Sequence, residues 1–213
     1  MDDGIESTTT TGGGLMSGLK RKIAGESFFI TTYTNESSER REISFAAPFP
    51  GKIVPVDLSR GNILCQRDSY LCSAQGIEIS LALTRRLGAG FFGGEGFILQ
   101  KLSGDGLAFI QAGGHVVERH LDPGQTLRVD TGCLVGFEDT VDYDIKMIKG
   151  LKSKLFGGEG FFYAMLRGPG KIWVQSTPLS RFADRVMSAA RGGGGEVRRG
   201  GMGMLGDLIG GRE

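Results

Sequence analysis

The chain has 213 residues, 37 of them glycine, with a formal net charge of +1. Its glycines follow no three-residue period, which excludes a collagen helix, and near-zero charge gives no polyelectrolyte case for nucleic acid or an anionic membrane. The apolar runs are too short for a spanning helix, and Met1-Asp2-Asp3-Gly4 opens neither a signal nor a transit peptide, so the expectation is a cytoplasmic chain with a buried core.

In chain order, residues 15–23 have the spacing of one or two helical turns, and a polar turn follows at 35–41. Val54-Pro55-Val56-Asp57-Leu58 alternates as a strand does and runs into the turn Ser59-Arg60-Gly61-Asn62. Short strands are predicted at 63–66, 70–74 and 77–83, then a glycine-rich signature, then a hairpin through Gly104-Asp105-Gly106 into 107–111. The pattern restarts with Val116-Val117-Glu118-Arg119-His120 and the turn Asp122-Pro123-Gly124-Gln125, and 151–155 again suits a helical turn. Pro178-Leu179-Ser180 opens a short helix in which Leu179, Phe182, Val186 and Met187 share a face, and glycines from 192 to 195 break it. Beyond lie a basic run, Arg198-Arg199-Gly200-Gly201, and a small apolar patch from Met202 to Ile209, read as a flexible tail and as the one candidate for membrane association.

The glycines carry an internal repeat. Sliding the chain along itself without a gap, so that Leu87 falls on Leu151, lays positions 87–111 on 151–175 with 11 of 25 identical. The identities include Phe92-Gly93-Gly94-Glu95-Gly96-Phe97 on Phe156-Gly157-Gly158-Glu159-Gly160-Phe161. A third copy begins with Gly25-Glu26-Ser27-Phe28, so the glutamates Glu26, Glu95 and Glu159 recur with it. The expected fold is all-β: one three-repeat domain over residues 1–178, with repeats at about 1–50, 51–114 and 115–178, followed by the helix and tail at 179–213. One such module is marginal alone, so copies should bury one another's faces and the outermost faces should seek a partner chain.

Residues 12–29, Phe92 to Phe97, Val129-Asp130-Thr131-Gly132 and Phe156 to Phe162 resemble the family named for altered inheritance of mitochondria, over roughly residues 4–178. The resemblance implies three repeats, each like the short double-stranded β-helix of the tryptophan RNA-binding attenuation protein. It also implies trimers in which nine repeats close a ring, and no catalytic residues or cofactor. Relatives usually carry strands before the segment matching Ile5-Glu6-Ser7-Thr8-Thr9, so the first repeat reads as truncated at its N-terminus, or the start at Met1 as too late.

Candidate chemistry is sparse. The repeated Gly25-Glu26, Gly94-Glu95-Gly96 and Gly158-Glu159-Gly160 read as turns whose carboxylates cap backbone N–H groups, with an ion-binding carboxylate ring as the alternative. The segment Gly13 to Lys20 falls short of a phosphate-binding loop, and Gly94-Glu95-Gly96 lacks the third glycine of a dinucleotide fingerprint. His115 and His120, five apart on a strand, point to opposite faces, so no metal is expected. Glu138-Asp139 reads as a solvated turn. Cys65, Cys72 and Cys133 read as buried free thiols. The aromatics Phe28, Phe29, Phe91, Phe92, Phe97, Phe161, Phe162 and Trp173 read as core or inter-repeat packing rather than base-stacking platforms. Function is therefore expected to be non-enzymatic: a ring-like homo-oligomer serving as a scaffold, with an unidentified protein as a possible partner. An RNA-binding ring, drawing on Lys20-Arg21-Lys22, Arg85-Arg86, Lys152 and Lys154, or a small ligand or ion in the ring channel, is the alternative.

Overall fold

In a computed structural model the described residues are 1–11, 29–82, 97–147 and 162–192. They are mostly antiparallel β-structure with one helix, and the chain divides into two compact units, Met1–Ala46 and Ala47–Glu213.

The smaller unit is a hairpin-like pair. Strand β1 (Ile5–Thr11) pairs antiparallel with β2 (Phe29–Asn35), with Ile5 opposite Asn35 and Thr9 opposite Thr31, whose hydroxyls bond at 2.9 Å. Threonine-rich runs favour extended backbone because β-branching restricts the side chain. Tyr33 packs edge-on against Phe45 at 5.5 Å between ring centroids. Phe29, expected in core or inter-repeat packing, is 66% exposed on this two-stranded sheet.

Among its described residues the larger unit holds twelve strands in two sets of six. The first set is β3 (Gly51–Asp57), β4 (Ile63–Gln66), β5 (Tyr70–Ser73), β6 (Glu78–Ala82), β7 (Leu99–Ser103) and β8 (Leu107–Gly113). The second is β9 (Val116–Leu121), β10 (Thr126–Asp130), β11 (Leu134–Glu138), β12 (Asp142–Met147), β13 (Phe162–Arg167) and β14 (Gly170–Gln175). Both sets pair alike: β3–β8–β5 and β4–β7–β6 in one, β9–β14–β11 and β10–β13–β12 in the other. A register shift between Tyr70 and Cys72 recurs between Leu134 and Gly136, the matching positions of the next copy. The hairpin glycines Gly106 and Gly170 share a φ of +143°, a conformation that excludes side chains. Pro55 sits in β3, an edge strand, where its missing N–H breaks no ladder.

The two sets fuse at one seam. Strand β4 pairs antiparallel with β11, which joins half of each set into a six-stranded sheet ordered β6–β7–β4–β11–β14–β9. Both of its faces are covered. Ile63, Cys65, Leu102, Val135 and Trp173 pack with Val54, Val56, Ala108 and Ile110 from β3 and β8, while Leu64, Leu99, Leu134, Phe137 and Ile172 pack with Val129, Ala164 and Leu166 from β10 and β13. Double burial explains why Ile63-Leu64-Cys65 is continuously apolar instead of alternating.

The helix α1 (Leu179–Gly192) follows β14, with the Phe182 amide donating to the Pro178 carbonyl at 3.0 Å. Its predicted apolar residues all remain exposed: Leu179 44%, Phe182 43%, Val186 51% and Met187 53%. None of the helices among the described residues is long and apolar enough to cross a membrane.

Candidate functional site

The two strand sets of the larger unit are joined at the β4–β11 seam. Cys65 stands opposite Gly136, Leu64 opposite Phe137 and Ile63 opposite Glu138. The approach is close: a Cβ at position 136 would lie 2.8 Å from the Leu64 carbonyl oxygen and 3.1 Å from Cys65 Cβ. Glycine is needed there for clearance.

Polar groups cross the same seam. The Gln66 side-chain amide donates to the Thr131 carbonyl oxygen. Asp139 accepts from the Asn62 amide and from the Lys101 ammonium, each at 3.0 Å, and its own N–H donates to the Asn62 carbonyl at 3.0 Å. Glu138 accepts from the Lys171 N–H at 2.8 Å. Of Glu138-Asp139, read from sequence as a solvated turn, Asp139 is therefore a clamp between the two strand sets, while the Glu138 carboxylate bonds within the second set. Burial pushes the Asp139 carboxyl up, but the Asn62 bond and the Lys101 charge outweigh it and hold the group below its ordinary value. Stability from this clamp is thus full above an unfolded-state pKa near 3.8 and lost as pH falls through the lower folded value. Asp139→Asn should destabilise the unit at pH 7 by about 1 kcal/mol. Its unfolding midpoint should draw towards wild type as pH falls below 3.8 and through the lower folded value, and a gap independent of pH would refute the charge argument.

Matched glutamines tie each set internally. Gln111 donates to the Asp68 carbonyl and Gln175 to the Gly132 carbonyl, both at 2.8 Å and at matching positions of the two copies. In the sequence this pair stands only as an identity; its equal spacing in both copies was the available signal. Trp173, in the second set, is 4% exposed inside the core of the first, so the inter-repeat packing expected of it is present. Phe97 packs against the other core.

At each end of the larger unit the seam's two halves recur without a partner. Among the described residues β5, the counterpart of β11, pairs only with β8, and β10, the counterpart of β4, pairs only with β13. The shift that lays Leu87 on Leu151 turns Ile63, Leu64, Cys65 and Gln66 into Leu127, Arg128, Val129 and Asp130. In the reverse direction it turns Val135, Gly136, Phe137 and Trp173 into Leu71, Cys72, Ser73 and Phe109. One face stays apolar (Leu127, Val129, Leu71, Phe109) while the other turns polar. Cys72 also carries the Cβ that Gly136 lacks. Ile53 in β3 and Val117 in β9, at matching positions of the two copies, are exposed at 43% and 50%.

The glycine and glutamate positions singled out in the sequence, Gly25, Glu26, Gly94, Glu95, Gly96, Gly158, Glu159 and Gly160, lie outside the described residues, as do Phe28, Phe91, Phe92, Phe161 and the basic residues flanking them. His115 and His120 are both exposed. Of the thiols only Cys65 is fully buried, and burial pushes it up to about 12; Cys72 and Cys133 are half-buried, not buried as expected, and are also raised by burial. Raised thiols are protonated at neutral pH and poor nucleophiles.

The sequence profile of the family described as Mitochondrial biogenesis AIM24 matches residues 1–177. The chain belongs to this family. An uncharacterised protein of Streptococcus pyogenes serotype M6 is 27% identical over 162 residues, covering 76% of this chain and 63% of the relative, so the chain spans less than two thirds of that relative's length. A crystal structure of a Streptococcus pyogenes protein from a structural genomics programme aligns with a TM-score of 0.67 at 23% identity, over 88% of this chain and 83% of that one. That likeness is one of fold. Neither similar protein indicates an enzymatic activity for this AIM24-family member.

Proposed function

We propose that this AIM24-family chain is a non-enzymatic cytoplasmic scaffold that acts as a ring-like homo-oligomer, built from β-repeats of the attenuation-protein type. Copies of the chain join head to tail, with β10 of one against β5 of the next. The observation that carries the reading is the β4–β11 seam, because it displays inside one chain the joint for which β10 and β5 are the unpaired halves. Unpaired edges and half-exposed apolar groups are costly in a lone chain and are met by heterologous pairing, which closes a ring when the rotation allows. Support for a third copy comes from β2. The shift that lays Glu26 on Glu95 also lays β2 on β7, and each pairs antiparallel with the strand before it. The polar substitutions and the added Cys72 Cβ make the joint between chains looser than the internal seam, which suits an assembly that exchanges subunits.

The register can be tested with one substitution. The Cys65–Gly136 pair transposes to Val129 of one chain opposite Cys72 of the next. Opposed antiparallel residues lie about 4.5–5.5 Å apart at Cα, within disulfide reach. Oxidised Val129→Cys should give disulfide-linked oligomers that Cys72→Ser abolishes, and native mass spectrometry should show one closed stoichiometry. A monomer at tens of micromolar with no Cys72-dependent cross-link would overturn the reading.

A further inference from the structure

The helix α1 is attached to the body at the end of β10. Arg181, in its first turn, donates to the Asp130 carboxylate and reaches Cys133 Sγ at 3.7 Å, and Pro178 lies against Gly132. The residue it holds, Asp130, is the counterpart of Gln66, whose amide bonds the Thr131 carbonyl across the internal seam. The counterpart of Thr131 is Arg67, so head-to-tail pairing brings Asp130 to the Arg67 carbonyl of the next chain. An ionised carboxylate has no N–H or O–H to offer that oxygen and meets its dipole with like charge. The joint between chains therefore lacks a donor where the internal seam has one. A guanidinium seated on Asp130 and Cys133 brings the remaining N–H groups of a rigid five-donor fork to that place.

We propose that Arg181 supplies across the joint between chains the hydrogen-bond donor that Gln66 supplies within the chain, so that α1 is part of the interface with a second copy of this chain. The inference rests on the head-to-tail reading. Two further features agree with it. Asp68, the counterpart of Gly132, 63% exposed in its side chain and paired with Arg67 at 3.2 Å, arrives beside Arg181, where both guanidiniums share its carboxylate. The apolar side of α1, exposed at Leu179, Phe182 and Val186, belongs to a helix of 14 residues, a length marginal in water without a packed face. The next chain is the surface brought to it.

The test uses the full chain and the dissociation constant of its oligomer by sedimentation. Arg181→Ala should weaken assembly about tenfold, the usual weight of one charge-assisted hydrogen bond. Asp130→Gln restores the donor found at position 66, so adding it to Arg181→Ala should recover assembly to within about threefold of wild type. A merely structural anchor for α1 would not be rescued in this way. Unchanged assembly in Arg181→Ala overturns the proposal, and weakening without rescue by Asp130→Gln overturns the donor role. Failure of the head-to-tail reading itself shows separately, as loss of the Cys72-dependent cross-link in Val129→Cys with Arg181 intact.

Discussion

Trp173→Ala is expected to destabilise the larger unit by about 3–5 kcal/mol, the range for emptying a large aromatic site in a core. The indole belongs by sequence to the second strand set yet is 4% exposed among Val54, Val56, Ile110 and Val135, so its loss opens a cavity on the seam that joins the sets. Trp173→Phe should cost about 1 kcal/mol or less, since the smaller ring is offset by removal of an indole N–H with no partner among the described residues. Phenylalanine is also the residue at the matched position, Phe109. Because the chain has a single tryptophan, urea unfolding should be followed by circular dichroism rather than fluorescence. A cost for alanine under about 1 kcal/mol would mean that the two sets do not share this core.

Gly136→Val should be comparably severe, about 3 kcal/mol, at the upper end of overpacking. The atoms that a Cβ would meet are the Leu64 carbonyl oxygen, at 2.8 Å, and the Cβ and Cα of Cys65, at 3.1 and 3.2 Å, none of them the free end of a flexible chain. Relief requires β4 and β11 to separate, so their amides should lose hydrogen-exchange protection before those of β8 and β13. Gly136→Ala should fall between valine and wild type. Equal protection in all four strands would show that the seam tolerates the volume.

The β class, the periodic strands and the long-period repeat were legible because local signals encode them. Val54-Pro55-Val56 alternates, Gly104-Asp105-Gly106 can only turn, and the identities from Phe92 to Gln111 survive a fixed shift. The helix from Leu179 was legible from its spacing and its glycine stop. The candidate site was not. Apart from Trp173, read from sequence as core or inter-repeat packing, its members are Gln66, Gly136 and Asp139, which lie far apart in sequence and follow no motif; Asp139 looked like any solvated turn until Asn62 and Lys101 were placed beside it.

What the sequence determined by itself is therefore the repeating unit and its family, since turn chemistry, strand alternation and copied spacing act over a few residues at a time. Which strand of one copy borders which strand of the next was decided only by tertiary structure. Pairing β4 with β11 depends on the clearance at Gly136, on a tryptophan buried in its neighbour's core and on carbonyls that need distant amides. The same strands, repeated as β5 and β10 with Cys72, Arg128 and Asp130 in place of their counterparts, have one pairing neighbour each among the described residues. Contact chemistry of this kind exists only once the copies are set side by side.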